Sequence, residues 1–225
     1  MTDRPHENRY DELKALIDDE SNKEHECRKY LQYIPHYLFR ETVVSYEYRE
    51  TEYRGHSGDS DYVISGKVKD ESGFECVRAY IWELKAPQCY IFEKDTKNRL
   101  RPTKDLIQAE NQLLHYYEEQ KGSDQFRDEF KVTHPDNVCF GGIIIGCNRT
   151  LVKGDYNEKK KERLFQRTKT IRDKHFYRNS GIRLVTWDTI LCQFRPPIRG
   201  ETRSDIAEQE IPMPKIPPGA DIDNH

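Results

Sequence analysis

The chain has 225 residues, which suits one large domain or one domain with appendages. With 37 Lys+Arg against 40 Asp+Glu and a formal net charge of -3, an overall basic, histone-like coat for nucleic acid is excluded, while a local basic face is not. No apolar run reaches the ~20 residues a membrane span needs, and the first residues, MTDRPHENRYDELK, lack the hydrophobic stretch of a secretory signal. The expectation is a cytoplasmic protein with no membrane partner.

The six cysteines are scattered without a C-x-x-C pair, so neither a zinc site nor a disulfide framework is expected, and the thiols should be reduced and mostly buried. Fourteen tyrosines among 11% aromatic residues supply enough apolar surface for a core despite the polar average.

In chain order, residues 1–20 form an acidic, weakly helical N-terminal extension whose apolar stripe is Leu13, Leu16 and Ile17. Residues 1–26 hold nine acidic and four basic side chains, so this end should not touch DNA phosphates. Ser21 and Glu24 have capping-box spacing and predict a helix that Pro35 ends. The alternation of Val44, Tyr46 and Tyr48 predicts a strand over 39–53, followed by a turn at 55–60. Strands over 61–64 and 76–84 should form a hairpin through the polar loop 67–73, and residues 88–102 read as a charged loop. A helix over 103–120 should bury Leu106, Ile107, Leu113, Leu114 and Tyr117. The apolar run VCFGGIIIG (138–146) predicts a central strand, 158–177 a basic helix, and 182–186 a last strand running into a short helix. From residue 195 to 225 the composition turns Pro-rich and polar, as in a surface tail. The fold class is therefore α/β, a mixed central sheet flanked by helices, with the main domain over 21–194.

The chemistry concentrates in DYVISGKVKDESGFECVRAYIWELKAP. Strand periodicity puts Glu83 and Lys85 on one face and Leu84 on the other, and an antiparallel hairpin returns that end to Asp61. Two carboxylates and an ammonium thus meet at one sheet end, a donor set suited to a hard cation such as magnesium and to a developing anion. On helix 103–120, Gln108, Gln112 and either His115 or Tyr116 share a polar stripe, where a glutamine amide could orient the lysine or a phosphate. Glu24 has two readings, a helix cap or a member of the metal site, with Glu20 as its neighbouring alternative. Between Arg149 and Arg183 stand twelve basic and four acidic residues, and Lys159, Lys160, Lys161, Arg163 and Arg167 form a stripe that could track DNA phosphates.

Asp61, then Glu83-x-Lys85, then Gln112-Leu-Leu-His-Tyr116 resembles the PD-(D/E)xK nuclease pattern, including the Gln-x-x-x-Tyr element of RecB-like nucleases. More specifically, KEHECRKYLQYIPHYL, SDYVI, WELKAP, LIQAENQLLHYYEE, GGIIIG and IRLVTWDTIL, spread over residues 20–194, resemble the C-terminal nuclease domain of Shedu anti-phage defence proteins. The resemblance implies a restriction-endonuclease-like core and a metal-dependent DNA endonuclease. It implies Asp61 and Glu83 as ligands of magnesium (manganese as a possible substitute), the Leu84 carbonyl in the shell, Lys85 as the catalytic lysine, Glu24 as the first-helix glutamate and Gln112 as the helix glutamine. It also implies DNA as partner and assembly into a homo-oligomer. Ser60 stands where the eponymous proline would be. Two other functions share this pattern: a restriction or repair nuclease of the same fold, and a catalytically silent module that binds DNA or protein.

Overall fold

In the computed structural model, which describes residues 6–45, 49–54, 59–70 and 72–195, the acidic N-terminal segment folds as α1 (His6–Asp18). Its stripe is part of the core: Leu13 and Ile17 are fully covered and cluster with residues of the sheet and of the C-terminal helix. The helix expected up to Pro35 is broken into α2 (Glu24–Arg28), a 3-10 turn (Leu31–Tyr33) and α3 (Pro35–Leu38). Pro35 begins a helix rather than ending one, because at the first helical position its missing N–H and fixed φ carry no penalty. The capping box does not form. The Ser21 hydroxyl donates to Asp19 Oδ1 at 2.7 Å, and the Glu24 amide donates to Asn22 Oδ1 at 3.0 Å.

Two strands, β1 (Thr42–Val43) and β2 (Arg49–Arg54), occupy the stretch expected as a single one; residues 46–48, including Tyr46 and Tyr48, lie outside the described residues, as do 55–58 of the expected turn and 196–225 of the expected tail. The hairpin is longer than its apolar pattern suggested, pairing β3 (Asp59–Lys69) with β4 (Glu75–Leu84) from Lys69↔Glu75 to Tyr62↔Trp82. Asp70 closes its turn by accepting the amides of Ser72 (2.9 Å) and Phe74 (3.0 Å). The expected charged loop contains a second hairpin, β5 (Phe92–Lys94) with β6 (Leu100–Pro102). Next come α4 (Lys104–Gly122), α5 (Asp124–Phe130), β7 (Val138–Ile144) and α6 (Glu158–Arg172). A π-helical turn (Asp173–Tyr177), α7 (Arg178–Ser180), β8 (Arg183–Val185) and α8 (Trp187–Cys192) complete the described chain.

Among the described residues the main sheet runs β1-β3-β4-β7-β8, with β2 also on β3; β1, β2, β3 and β4 pair antiparallel, whereas β4, β7 and β8 run parallel. This is the mixed sheet the pattern predicted, with helices on both faces. The central strands alternate between two cores, as period-two side chains must. Val63, Ala79 and Ile81 meet Leu106, Ala109 and Leu113 of α4, with Phe126 and Phe165 behind them. Tyr62, Ile64, Tyr80, Trp82 and Leu84 meet Leu13, Cys27, Leu31, Leu38, Trp187 and Ile190 on the opposite side.

The helix face of α4 differs from the expected one. Leu106, Ala109, Leu113, Tyr116 and Gln120 are buried, while Ile107 and Leu114 are each 46% exposed. All six cysteines are free, with Cys27 and Cys147 buried and the others half-buried. The Gly-Gly of β7 has a packing cause: a Cβ on Gly141 would lie 2.3 Å from the Trp82 indole nitrogen, and one on Gly142 (φ +152°) 2.2 Å from the Arg183 carbonyl oxygen. The ladder skips a residue here, with Ile81 opposite Phe140 and Trp82 opposite Gly142, one residue before Glu83. Arg183 lies over the Trp82 ring at 4.5 Å and donates to the carbonyls of Tyr37 (2.9 Å) and Leu38 (2.6 Å), closing the end of α3.

Candidate metal centre at a strand fork

β3 and β4 part after Tyr62↔Trp82. Beyond this point β3 stays with β2, through Ser60 and Asp59, and β4 stays with β7, through Glu83 and Leu84. The amide of Leu84, which the continuing ladder would have given to β3, donates instead to the Asp61 carboxylate at 2.9 Å. A strand residue's N–H and C=O point to the same side, so the Leu84 carbonyl also faces the fork. Asp61 shares its face with Val63, and Glu83 with Ile81, so both carboxylates lie on the α4 side of the sheet.

Glu83 is wholly inaccessible, and one of its oxygens has no hydrogen-bond donor among the described residues. The other receives the Lys85 ammonium at 2.5 Å. Burial first, and then the Asp61 carboxyl within hydrogen-bond reach, push the Glu83 carboxyl up to about 9, with Lys85 only partly opposing them. Burial works against the Lys85 ammonium, yet Glu83, Asp61 and Glu24 outweigh it, and its pKa is raised. The Lys85 backbone is fixed on both sides: its amide donates to the Ile144 carbonyl (2.8 Å), and the Trp187 indole donates to its carbonyl (2.8 Å).

Glu24 enters the same field. Burial and then Asp61 raise its pKa, while Lys85 and the Ala86 amide, which donates to it, lower it. The capping box of its first sequence reading does not form, and its side chain lies in the electrostatic field of Asp61 and Lys85. Glu20 is exposed and was the alternative. Gln88 sets this corner and was not marked in the sequence. Its amide group donates to the Asp19 carbonyl (2.7 Å) and the Leu16 carbonyl (3.3 Å), and its oxygen accepts the Lys23 amide (3.3 Å), which ties the end of α1 to the start of α2 just before Glu24. A lone loop glutamine carries no sequence signal for such a role.

On α4, Gln112 and Tyr116 face the fork. The Tyr116 phenol is raised by burial and by Glu83, and Gln112 donates to it. The Gln112 amide oxygen is buried without a donor among the described residues. Gln108 and His115, from the same expected stripe, are exposed.

No three His, Cys, Asp or Glu side chains among the described residues stand together as a ready ligand cage. The donors present suit magnesium in another way: that cation takes one or two carboxylates and fills its octahedron with water and substrate phosphate. Asp61, Glu83 and the Leu84 carbonyl are such a set. Two facing carboxyls, one with an orphaned buried oxygen, require a proton or a cation between them.

The basic stripe is on α6, where Lys159, Lys160, Arg163 and Arg167 are exposed and Phe165 alone is buried. Lys161 is half-buried and donates to the Arg149 carbonyl at 3.3 Å. Arg149 lies in the short turn after β7, so this contact puts the start of α6 at the sheet end that carries Glu83 and Lys85. No protein-family model, no curated protein and no solved structure matches the chain.

Proposed function

We propose that this chain is a magnesium-dependent DNA endonuclease on a restriction-endonuclease-like core, a Shedu-like protein that nicks or cleaves foreign DNA in anti-phage defence. The observation that carries the reading is the fork, where Asp61, Glu83 and Lys85 converge on the α4 side of the sheet, and Glu83 and Gln112 each bury one oxygen without a donor among the described residues. Perturbed acids beside a half-buried lysine at a sheet end suit a phosphoryl-transfer centre better than a packing role.

Asp61, Glu83 and the Leu84 carbonyl would hold the cation, with Glu24 at the margin. Magnesium, or manganese in its place, would polarise a phosphoryl oxygen and make a bound water more acidic. The lysine does its work as a fixed positive charge: its ammonium keeps its proton and faces the phosphate as negative charge builds on the equatorial oxygens. Gln112 offers its free amide oxygen to that ammonium or to a water. Lys159, Lys160, Arg163 and Arg167 follow the DNA backbone along α6, while Lys161 contributes mainly to the fold. Cutting both strands calls for two such sites, and a homo-oligomer is part of the proposal.

The test is conversion of supercoiled plasmid to nicked or linear form. The chain should cut with magnesium and not with chelator. Lys85→Ala should keep its far-ultraviolet circular dichroism and lose at least ~100-fold in rate, the order seen when one group that stabilises transition-state charge is removed. Absence of metal-dependent cutting by the unmodified chain overturns the function; near-normal cutting by Lys85→Ala overturns the site.

A further inference from the structure

The β5–β6 hairpin lies beside the start of α6, and its own charges are unevenly matched. Its two acids are already paired, Asp95 with Arg99 and Glu93 with Arg101, both at 2.8 Å. Lys94 and Lys97 are exposed and have no carboxylate partner among the described residues, and the same holds for Lys153 and Lys160. Lys94 from the hairpin and Lys160 from α6 sit on one ring, with their ammonium groups 5.2 and 5.1 Å from the centroid of Tyr156. Lys153 joins them because its amide donates to the Phe92 carbonyl at 2.8 Å. A single aromatic side chain thus gathers cations from two elements, and the exposed Asp155 and Glu158 beside it form no ion pair with them among the described residues.

The hairpin is also held firmly. The Ile91 amide donates to Thr150 (3.0 Å), the Thr103 amide donates to Ile91 (3.0 Å), and Asp95 closes the tip by accepting the amides of Lys97 and Arg99 at 2.8 Å. Preorganised cations on a two-stranded ribbon suit a rigid polyanion whose charges repeat at fixed spacing, and a duplex groove admits such a ribbon.

We propose that the β5–β6 hairpin, with Lys153 and the Tyr156 shelf, is a second contact on duplex DNA and tracks the phosphate backbone beside the Asp61–Glu83–Lys85 fork. This rests on the nuclease reading. The contact is to phosphate rather than to bases, since lysine ammoniums act as point charges without the forked geometry that reads a base edge.

The experiment measures anisotropy of a labelled DNA duplex over a range of salt, using full-length chains carrying Lys85→Ala to prevent cutting. Lys94→Gln, Lys97→Gln and Lys153→Gln are combined, leaving α6 untouched. Expected is weaker binding on every duplex sequence, with the slope of log affinity against log salt shallower by about 0.9 for each phosphate the variant no longer neutralises. A parallel α6 variant, Lys159→Gln with Arg163→Gln, should lower the slope independently. Parent affinity and slope in the hairpin variant overturn the hairpin proposal and leave the nuclease reading standing. Failure of the Lys85→Ala parent to bind any duplex overturns both. A change of oligomer size in light scattering with an unchanged slope assigns the surface to a protein partner and also overturns the proposal.

Discussion

Replacing Glu83 by glutamine should make the chain more stable at neutral and alkaline pH when no divalent metal is supplied. Burial and the neighbouring Asp61 carboxyl raise the Glu83 carboxyl from an ordinary 4.5 to about 9. Between those values the native chain holds a proton that the unfolded chain has released. The unfolded state therefore binds fewer protons, and stability falls as pH rises through the whole window. Each pH unit is worth about 1.4 kcal/mol, so between pH 5.5 and 8.5 this one group removes about 4 kcal/mol. Glutamine resembles the protonated acid and has nothing to release, so the variant should lack this slope. Lys85 loses its Glu83 partner in the variant but retains Asp61 and Glu24, which favour its charged form against burial. The assay is urea denaturation with chelator at intervals from pH 5.5 to 8.5 for both chains, comparing slopes so that other titrating groups cancel. Parallel pH dependences would falsify the claim that Glu83 is held as a buried acid.

The α4 phase predicts a contrast between neighbours: Leu113→Ala should cost about 2–5 kcal/mol, as for a fully buried leucine, whereas Leu114→Ala should stay within about 0.5 kcal/mol; equal losses in denaturation midpoint would refute the phase. Gly141→Ala should cost about 1–3 kcal/mol or more, because its methyl group would meet the fully buried Trp82 indole, and the indole fluorescence should shift with it; an unchanged midpoint and spectrum would show that β7 yields there at little cost.

Asp61, Glu83 and Lys85 were legible because strand alternation is a local rule and holds wherever the strand is real. The fork was not. It depends on where β3 exchanges β4 for β2, which is a matter of pairing between distant segments. The α4 face failed for a related reason. Leu106 with Ile107 and Leu113 with Leu114 are adjacent pairs, and each pair offers two helical phases seven residues apart. The sheet selects the phase that brings small Ala109 against Ala79 and Ile81 and turns Tyr116 toward Glu83. Ser21 and Glu24 had the right spacing for a cap, but Asp19 sits two residues before Ser21 and takes both its amide (2.8 Å) and its hydroxyl (2.7 Å). The β5–β6 hairpin left no alternation to detect, since each strand has three residues and charged side chains occupy both of its faces.

The parity that makes the site legible also makes it costly. The face of β4 that buries Ala79 and Ile81 next buries Glu83, and the face of β3 that carries Val63 next carries Asp61. Continuing either series with a leucine or valine would close the fork with ordinary apolar packing against Leu113 and Tyr116. The chain instead places an acid with an orphaned oxygen there, at a cost at pH 7 of about 3 kcal/mol by the same linkage. Native domains as a class are stable by only about 5–15 kcal/mol, so this is a large fraction of what holds such a fold together. Lys85 does not remove the cost, since one ammonium faces three carboxyl groups and contacts only one Glu83 oxygen. A second positive charge at the fork would remove it, by letting Glu83 ionise and its free oxygen bind. Local rules broken together at one point, where the surrounding sheet obeys them, have no account in packing, and the proposed cation site would supply one.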